Sequence, residues 1–108
     1  KIVVIGGHYD SINYAGTTAS APGADDDASG TVAVLEIARI LTQQQFDYTV
    51  RFCAWSGEEA GLLGSEAYAA HLESIGANVI GMVQLDMIAY RASGDSRSVD
   101  FVTNDTDP

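Results

Sequence analysis

Apolar residues fall into two habits along this chain. Residues 1–6 form a short β-branched run closed by Gly6-Gly7, which predicts a buried strand followed by a sharp turn. Residues 47–55 and 78–85 are further continuous apolar runs, the first ended by Ser56-Gly57, and a fourth strand is expected at 99–103. Between them the spacing changes to three and four residues. Val34, Ile37, Ala38 and Leu41 place a helix over 28–45 with Asp27 positioned to cap it, and Leu63, Ala67, Ala70 and His71 mark the stripe of a second helix over 61–75. Residues 11–23 are rich in Ser, Thr, Ala, Gly and Asn with Pro22 near the end, a loop composition. Strands that alternate with helices and lack polar alternation imply an α/β fold with a mainly parallel sheet covered on both faces.

Composition narrows the partners. At 108 residues the chain suits one domain, and fifteen acidic against five basic side chains give a formal charge of −10 on a sequence that is 46% hydrophobic. Lys1 is the only lysine and Arg39, Arg51, Arg91 and Arg97 are scattered, so neither nucleic acid nor an anionic membrane surface is a fitting partner. No apolar run nears the roughly 20 residues of a membrane span, and the start lacks a signal-peptide pattern. A chain beginning at Lys1 rather than Met is expected to be a processed product or an excised piece. Cys53, alone in an apolar run, is expected to pack rather than to react.

In parallel sheets ligands bind beyond the carboxyl ends of the strands. His8 lies just past the first predicted strand, Glu58 and Glu59 past the second and Asp86 at the end of the third, while Asp25, Asp26 and Asp27 precede the first helix. The candidate ligands therefore share one edge of the sheet. Asp10, two residues from His8, is placed to accept a proton from the far ring nitrogen and fix its tautomer. Blander readings exist for each: a turn residue for His8, a helix cap for one aspartate of the triplet, a solvated helix start for the glutamates. Capping explains one aspartate and leaves two, and EF-hand spacing is absent. Adjacent glutamates in a turn diverge, so one can bind a metal while the other serves as general base toward a water beside it. A histidine among carboxylates suits Zn²⁺, Mn²⁺ or Co²⁺, which points to metal-assisted hydrolysis.

At these residues the chain resembles a known family. Gly6-Gly7-His8-Tyr9-Asp10-Ser11, Pro22-Gly23-Ala24-Asp25-Asp26-Asp27-Ala28-Ser29-Gly30, Ser56-Gly57-Glu58-Glu59-Ala60-Gly61 and Gln84-Leu85-Asp86-Met87 look like the four successive motifs of the M28 zinc aminopeptidases, secreted bacterial leucine-type enzymes above all. The resemblance implies a three-layer α/β/α zinc-exopeptidase-like fold with a mainly parallel or mixed sheet, present only in part. It implies two zinc ions bridged by Asp26, with His8 and Asp86 on one and Glu59 on the other. Glu58 matches the general base that activates the bridging water, Asp10 the partner of His8, and Met87 a residue lining the pocket for the substrate's first side chain. A non-proline cis peptide at Asp26-Asp27 is implied as well.

The family's last ligand is a histidine downstream of the Asp86 motif, which these 108 residues do not contain, and His71 is expected on a helix away from the strand ends. Residues 1–108 are therefore expected to be the N-terminal portion of such a catalytic domain, holding one zinc well, with the missing ligand supplied by the rest of the domain or by another chain. The implied substrate is a peptide with a free N-terminus and the implied location secreted or periplasmic. The alternatives are a glutaminyl cyclase-like acyltransferase and a non-catalytic metal-binding or interaction module of the same fold. The full set Asp26, Glu58, Glu59 and Asp86 argues for the peptidase.

Overall fold

A computed structural model of the chain describes residues 1–16 and 18–95. Its elements run β1 (Ile2–His8), α1 (Ala28–Leu41), β2 (Thr49–Trp55), α2 (Leu63–Ser74) and β3 (Val79–Gln84). The strand expected at 99–103 lies outside the described residues. All strands are parallel in the order β2-β1-β3, so β1 is central. The first crossover moves to one side of β1 and the second crosses back past it. Right-handed crossovers therefore put α1 and α2 on opposite faces. The glycines of β1 report the two faces: a Cβ on Gly6 would strike the Trp55 indole, whereas one on Gly7 would meet the α1 backbone at Thr31 N, 2.9 Å away. The result is an α/β/α arrangement of three layers.

Gly6 and Gly7, expected to break the strand, continue it to His8. Their lack of a side chain serves close packing rather than a turn. Both helices are shorter than their apolar spacing suggests. α1 stops at Leu41, after which the N–H groups of Gln43 and Gln44 turn back to Ile40 and Leu41. α2 starts at Leu63, because Gly61 and Leu62 first close a turn on the Glu58 carbonyl with Leu62 at φ 60°. Its inward stripe is Gly64, Ser65, Tyr68 and Leu72 rather than Leu63, Ala67, Ala70 and His71. The Gly64 N–H bonds the Ser56 carbonyl at 2.9 Å, and Tyr68 lies against Trp55 with ring centroids 5.5 Å apart. These two anchors set the rotation of the helix.

Val4, Val34, Trp55 and Leu72 form the buried apolar core, shared between the two faces of β1. The described residues leave all of β3 exposed, although its sequence is that of a strand covered on both sides. Gly30 marks the tightest joint near the site. A Cβ there would strike the Leu85 carbonyl oxygen and come within 2.5 Å of Asp27 Oδ1, with Asp27 held by the Gly30 N–H and Leu85 by its own N–H on the Gly6 carbonyl. Gly30→Ala is expected to destabilise the fold by about 1–3 kcal/mol. Gly81→Ala, with nothing within 4 Å of its Cβ position, is expected to change stability by no more than about 0.5 kcal/mol. Urea unfolding of both variants checks the contrast, and equal midpoints would show that the Gly30 contact has no energetic weight.

Candidate metal centre

Three parallel strands end at one edge, and the turn into α1 arrives at the same place. His8 closes β1 opposite Trp55 and is 1% exposed. Its main chain is fixed on both sides: the N–H donates to Asp27 Oδ2 at 3.0 Å and the carbonyl accepts from Thr31 Oγ1 at 2.6 Å. Its ring Nδ1 lies 3.0 Å from the Asp10 carbonyl oxygen. A carbonyl only accepts, so Nδ1 carries the proton and Nε2 presents a lone pair.

That Nε2 is buried and has no hydrogen-bond partner among the described residues. Around it stand Asp26 Oδ1 at 3.0 Å, without hydrogen-bond geometry, and Glu58 Oε2 and Asp86 Oδ2, each at 3.8 Å. A lone pair facing three carboxylates from three different chain segments is repulsive unless a cation or a proton lies among them. The donor set, one imidazole nitrogen with carboxylate oxygens, fits a divalent metal of the zinc type.

The aspartate triplet divides three ways. Asp27 is buried and spends both oxygens on main-chain N–H groups: His8 at 3.0 Å, Gly30 at 2.9 Å and Met87 at 3.3 Å. It caps α1, as the sequence suggests, and in addition ties β1 to the segment after β3. Donor atoms of His8, Asp27 and Asp86 do lie within 4.8 Å of one another. Asp27 is nonetheless a poorer ligand than Asp26, because its lone pairs are already engaged, whereas no N–H among the described residues engages the Asp26 carboxylate. Asp25 turns away from His8 and accepts from the N–H groups of Ala89 and Tyr90. The Asp26-Asp27 peptide is cis.

Asp10 supports His8 through its carbonyl rather than its carboxylate, which lies 3.7 Å from Nδ1. The carboxylate instead accepts the N–H groups of Glu58 at 3.1 Å and Glu59 at 3.2 Å. One residue thus positions both the histidine and the glutamate pair. Glu59 sits on that same turn, half-buried, and its carboxylate is not among those within 4.0 Å of the His8 ring. Met87 follows Asp86 with φ 49° and an exposed side chain. His71 is exposed on α2, away from the cluster. Asp25, a candidate ligand by sequence, is instead a tether like Ser29 and Thr31, a role with no local signal because the hydrogen bonds span 23 to 65 residues.

Electrostatics follow from the geometry. Burial pulls the His8 pKa down, but the carboxylates of Asp27, Asp86 and Glu58 outweigh it and the net shift is upward. Asp86 is also raised, by burial and then by Asp27, Asp26 and Glu58. Burial pushes Asp10 up, yet the N–H groups of Glu58 and Glu59 hold it below the ordinary carboxylate value. In the metal-free protein His8 contributes stability that is fully present below its ordinary 6.5 and is lost as pH rises through the raised value. Asp86 acts with the same sign above 3.8, whereas the contribution of Asp10 is present above 3.8 and lost as pH falls through its depressed value. Added zinc is accordingly expected to raise the melting temperature more at pH 8 than at pH 6. A larger increment at pH 6 would contradict this picture.

Comparison with known proteins gives the family. A sequence model described as Peptidase family M28 matches residues 1–106. Leucine aminopeptidase 1 of Uncinocarpus reesii is 43% identical over 119 aligned positions, covering 100% of this chain and 30% of that protein. The enzymes of the same name from Sclerotinia sclerotiorum (43%, covering 98% of this chain and 30% of the relative) and Coccidioides posadasii (42%, 100% and 31%) align similarly. The chain thus spans about 30% of the length of these curated relatives. Four motifs at one sheet edge, a bare imidazole nitrogen among carboxylates and a match over nearly every residue lead to one assignment: this chain belongs to peptidase family M28.

Proposed function

We propose that residues 1–108 are part of the catalytic domain of a zinc aminopeptidase that removes the N-terminal residue of peptides. His8, Asp26 and Asp86 would hold one zinc, Asp26 would bridge to a second, and Glu59 would bind that second ion. Bound zinc supplies Lewis acidity, acidifying a water and polarising the scissile carbonyl. Glu58 is the general base: its Oε2 takes the proton from the attacking water and later returns one to the departing amine. Asp10 holds Glu58 at its N–H and His8 at Nδ1. Met87 lines the pocket for the first side chain of the substrate.

The observation that carries this reading is the buried, unpartnered His8 Nε2 among the carboxylates of Asp26, Glu58 and Asp86. A secreted or periplasmic enzyme is part of the proposal, resting on the likeness of its four motifs to those of secreted bacterial leucine-type aminopeptidases. No helix among the described residues is long and apolar enough to cross a membrane. An anomalous-scattering map at the zinc edge tests the ligand set directly. For the isolated 108 residues the proposal expects close to one tightly held zinc per chain, since Asp26 and Glu59 alone make a weak second site. A monomer that keeps two zinc ions through dialysis would overturn that assignment.

A further inference from the structure

The main chain leaving β3 is held in an unusual way. Its ladder partners end with the Leu85 N–H on the Gly6 carbonyl at 2.9 Å, and the next N–H after Asp86 all go to side chains of one other segment. Met87 N–H donates to Asp27 Oδ1 at 3.3 Å, Ile88 to Ser29 Oγ at 3.0 Å, and Ala89 and Tyr90 both to Asp25 Oδ1 at 2.8 and 3.0 Å. The Ser29 hydroxyl in turn donates to the Asp25 carbonyl at 2.7 Å, closing the comb on itself. The acceptors alternate with Asp26 in sequence, so this ledge and the proposed bridging carboxylate are set in register by the same short stretch of chain. Above it Met87, Ile88 and Tyr90 expose apolar side chains beside Asp86.

We infer that Asp25 and Ser29 are positioning residues that fix residues 87–90 as a ledge beside the metal donors and so set how strongly the enzyme prefers a large apolar first residue over a small one. The inference rests on the aminopeptidase reading. Neither side chain is among the groups that surround the His8 ring, and Asp86 is held from both sides by the bonds of Leu85 and Met87. Loss of Asp25 therefore loosens the ledge and leaves the metal donors in place. With Met87 lining the pocket for the first side chain, as proposed, a leucine side chain would rest on the ledge and an alanine methyl would make less contact with it.

The test is Asp25→Ala in the zinc-loaded full-length enzyme, assayed on matched leucine and alanine substrates, with hydrogen exchange of the amides and metal analysis alongside. The leucine-to-alanine ratio of kcat/KM is expected to fall about tenfold, the fold-change typical of one apolar subsite contact, through a higher KM for the leucine substrate. The amides of Ala89 and Tyr90 lose protection and zinc content stays unchanged. Asp25→Asn keeps an acceptor oxygen and restores the ratio, and Ser29→Ala narrows it in the same direction by less. Should Asp25→Ala not fold, Ser29→Ala decides. An unchanged ratio, or an equal fall on both substrates, overturns the inference while the aminopeptidase reading stands. A wild-type enzyme that hydrolyses neither substrate overturns both.

Discussion

Glu58→Gln is expected to lower kcat of the full-length enzyme by about 10²–10⁴-fold with no change in zinc content. The substitution keeps the size of the side chain and the N–H that Asp10 holds at 3.1 Å, so the turn after β2 is not disturbed. What it removes is a basic oxygen. Glu58 Oε2 stands 3.8 Å from His8 Nε2, inside the ring of carboxylates yet partly open to solvent, a position from which it reaches a water attacking at the cluster. Asp86 Oδ2 stands at the same 3.8 Å and Asp26 Oδ1 at 3.0 Å, so distance from His8 does not by itself separate ligand from base. Kinetics and metal analysis on one preparation separate the roles. If zinc falls in parallel with kcat, Glu58 is a ligand and the base must be sought at Glu59.

Much of this arrangement was readable from the sequence because it is written in local terms. Continuous apolar runs located all three described strands, and the rule that ligands gather at strand carboxyl ends brought His8, Glu58 and Asp86 together without a structure. Asp27 as helix cap was equally local: its Oδ1 meets the Gly30 N–H three residues on. Readings failed where a residue answers to a distant partner. Gly6 and Gly7 look like a turn, yet their shape is dictated by Trp55 and by α1. The α2 stripe is rotated because Gly64 and Tyr68 answer to Ser56 and Trp55, which helical periodicity cannot register. Side-chain alternation pairs the Asp10 carboxylate with His8, but a carboxylate offered two adjacent N–H groups on a turn 48 residues away takes those instead.

Asp27→Ala is expected to be the most damaging substitution for folding around the site. Its carboxylate is 1% exposed and receives the N–H groups of His8, Gly30 and Met87, which belong to β1, α1 and the segment after β3. Alanine leaves the buried N–H groups of His8 and Gly30 and the part-buried one of Met87 without that acceptor. Each buried donor left unpaired costs roughly 1–3 kcal/mol. The two buried donors, on His8 and Gly30, alone take a sizeable share of the typical 5–15 kcal/mol stability of a domain. Zinc binding falls with folding, because His8 and Asp86 lose their common anchor while Asp26 loses its neighbour's fixed geometry. Asp27→Asn keeps one acceptor oxygen but turns an NH₂ group toward main-chain donors, so it recovers only part of the loss. Urea unfolding with and without zinc measures both effects. A stability change under about 1 kcal/mol for the alanine variant would mean that the three bonds are replaceable, and that the cluster is assembled by the metal rather than before it.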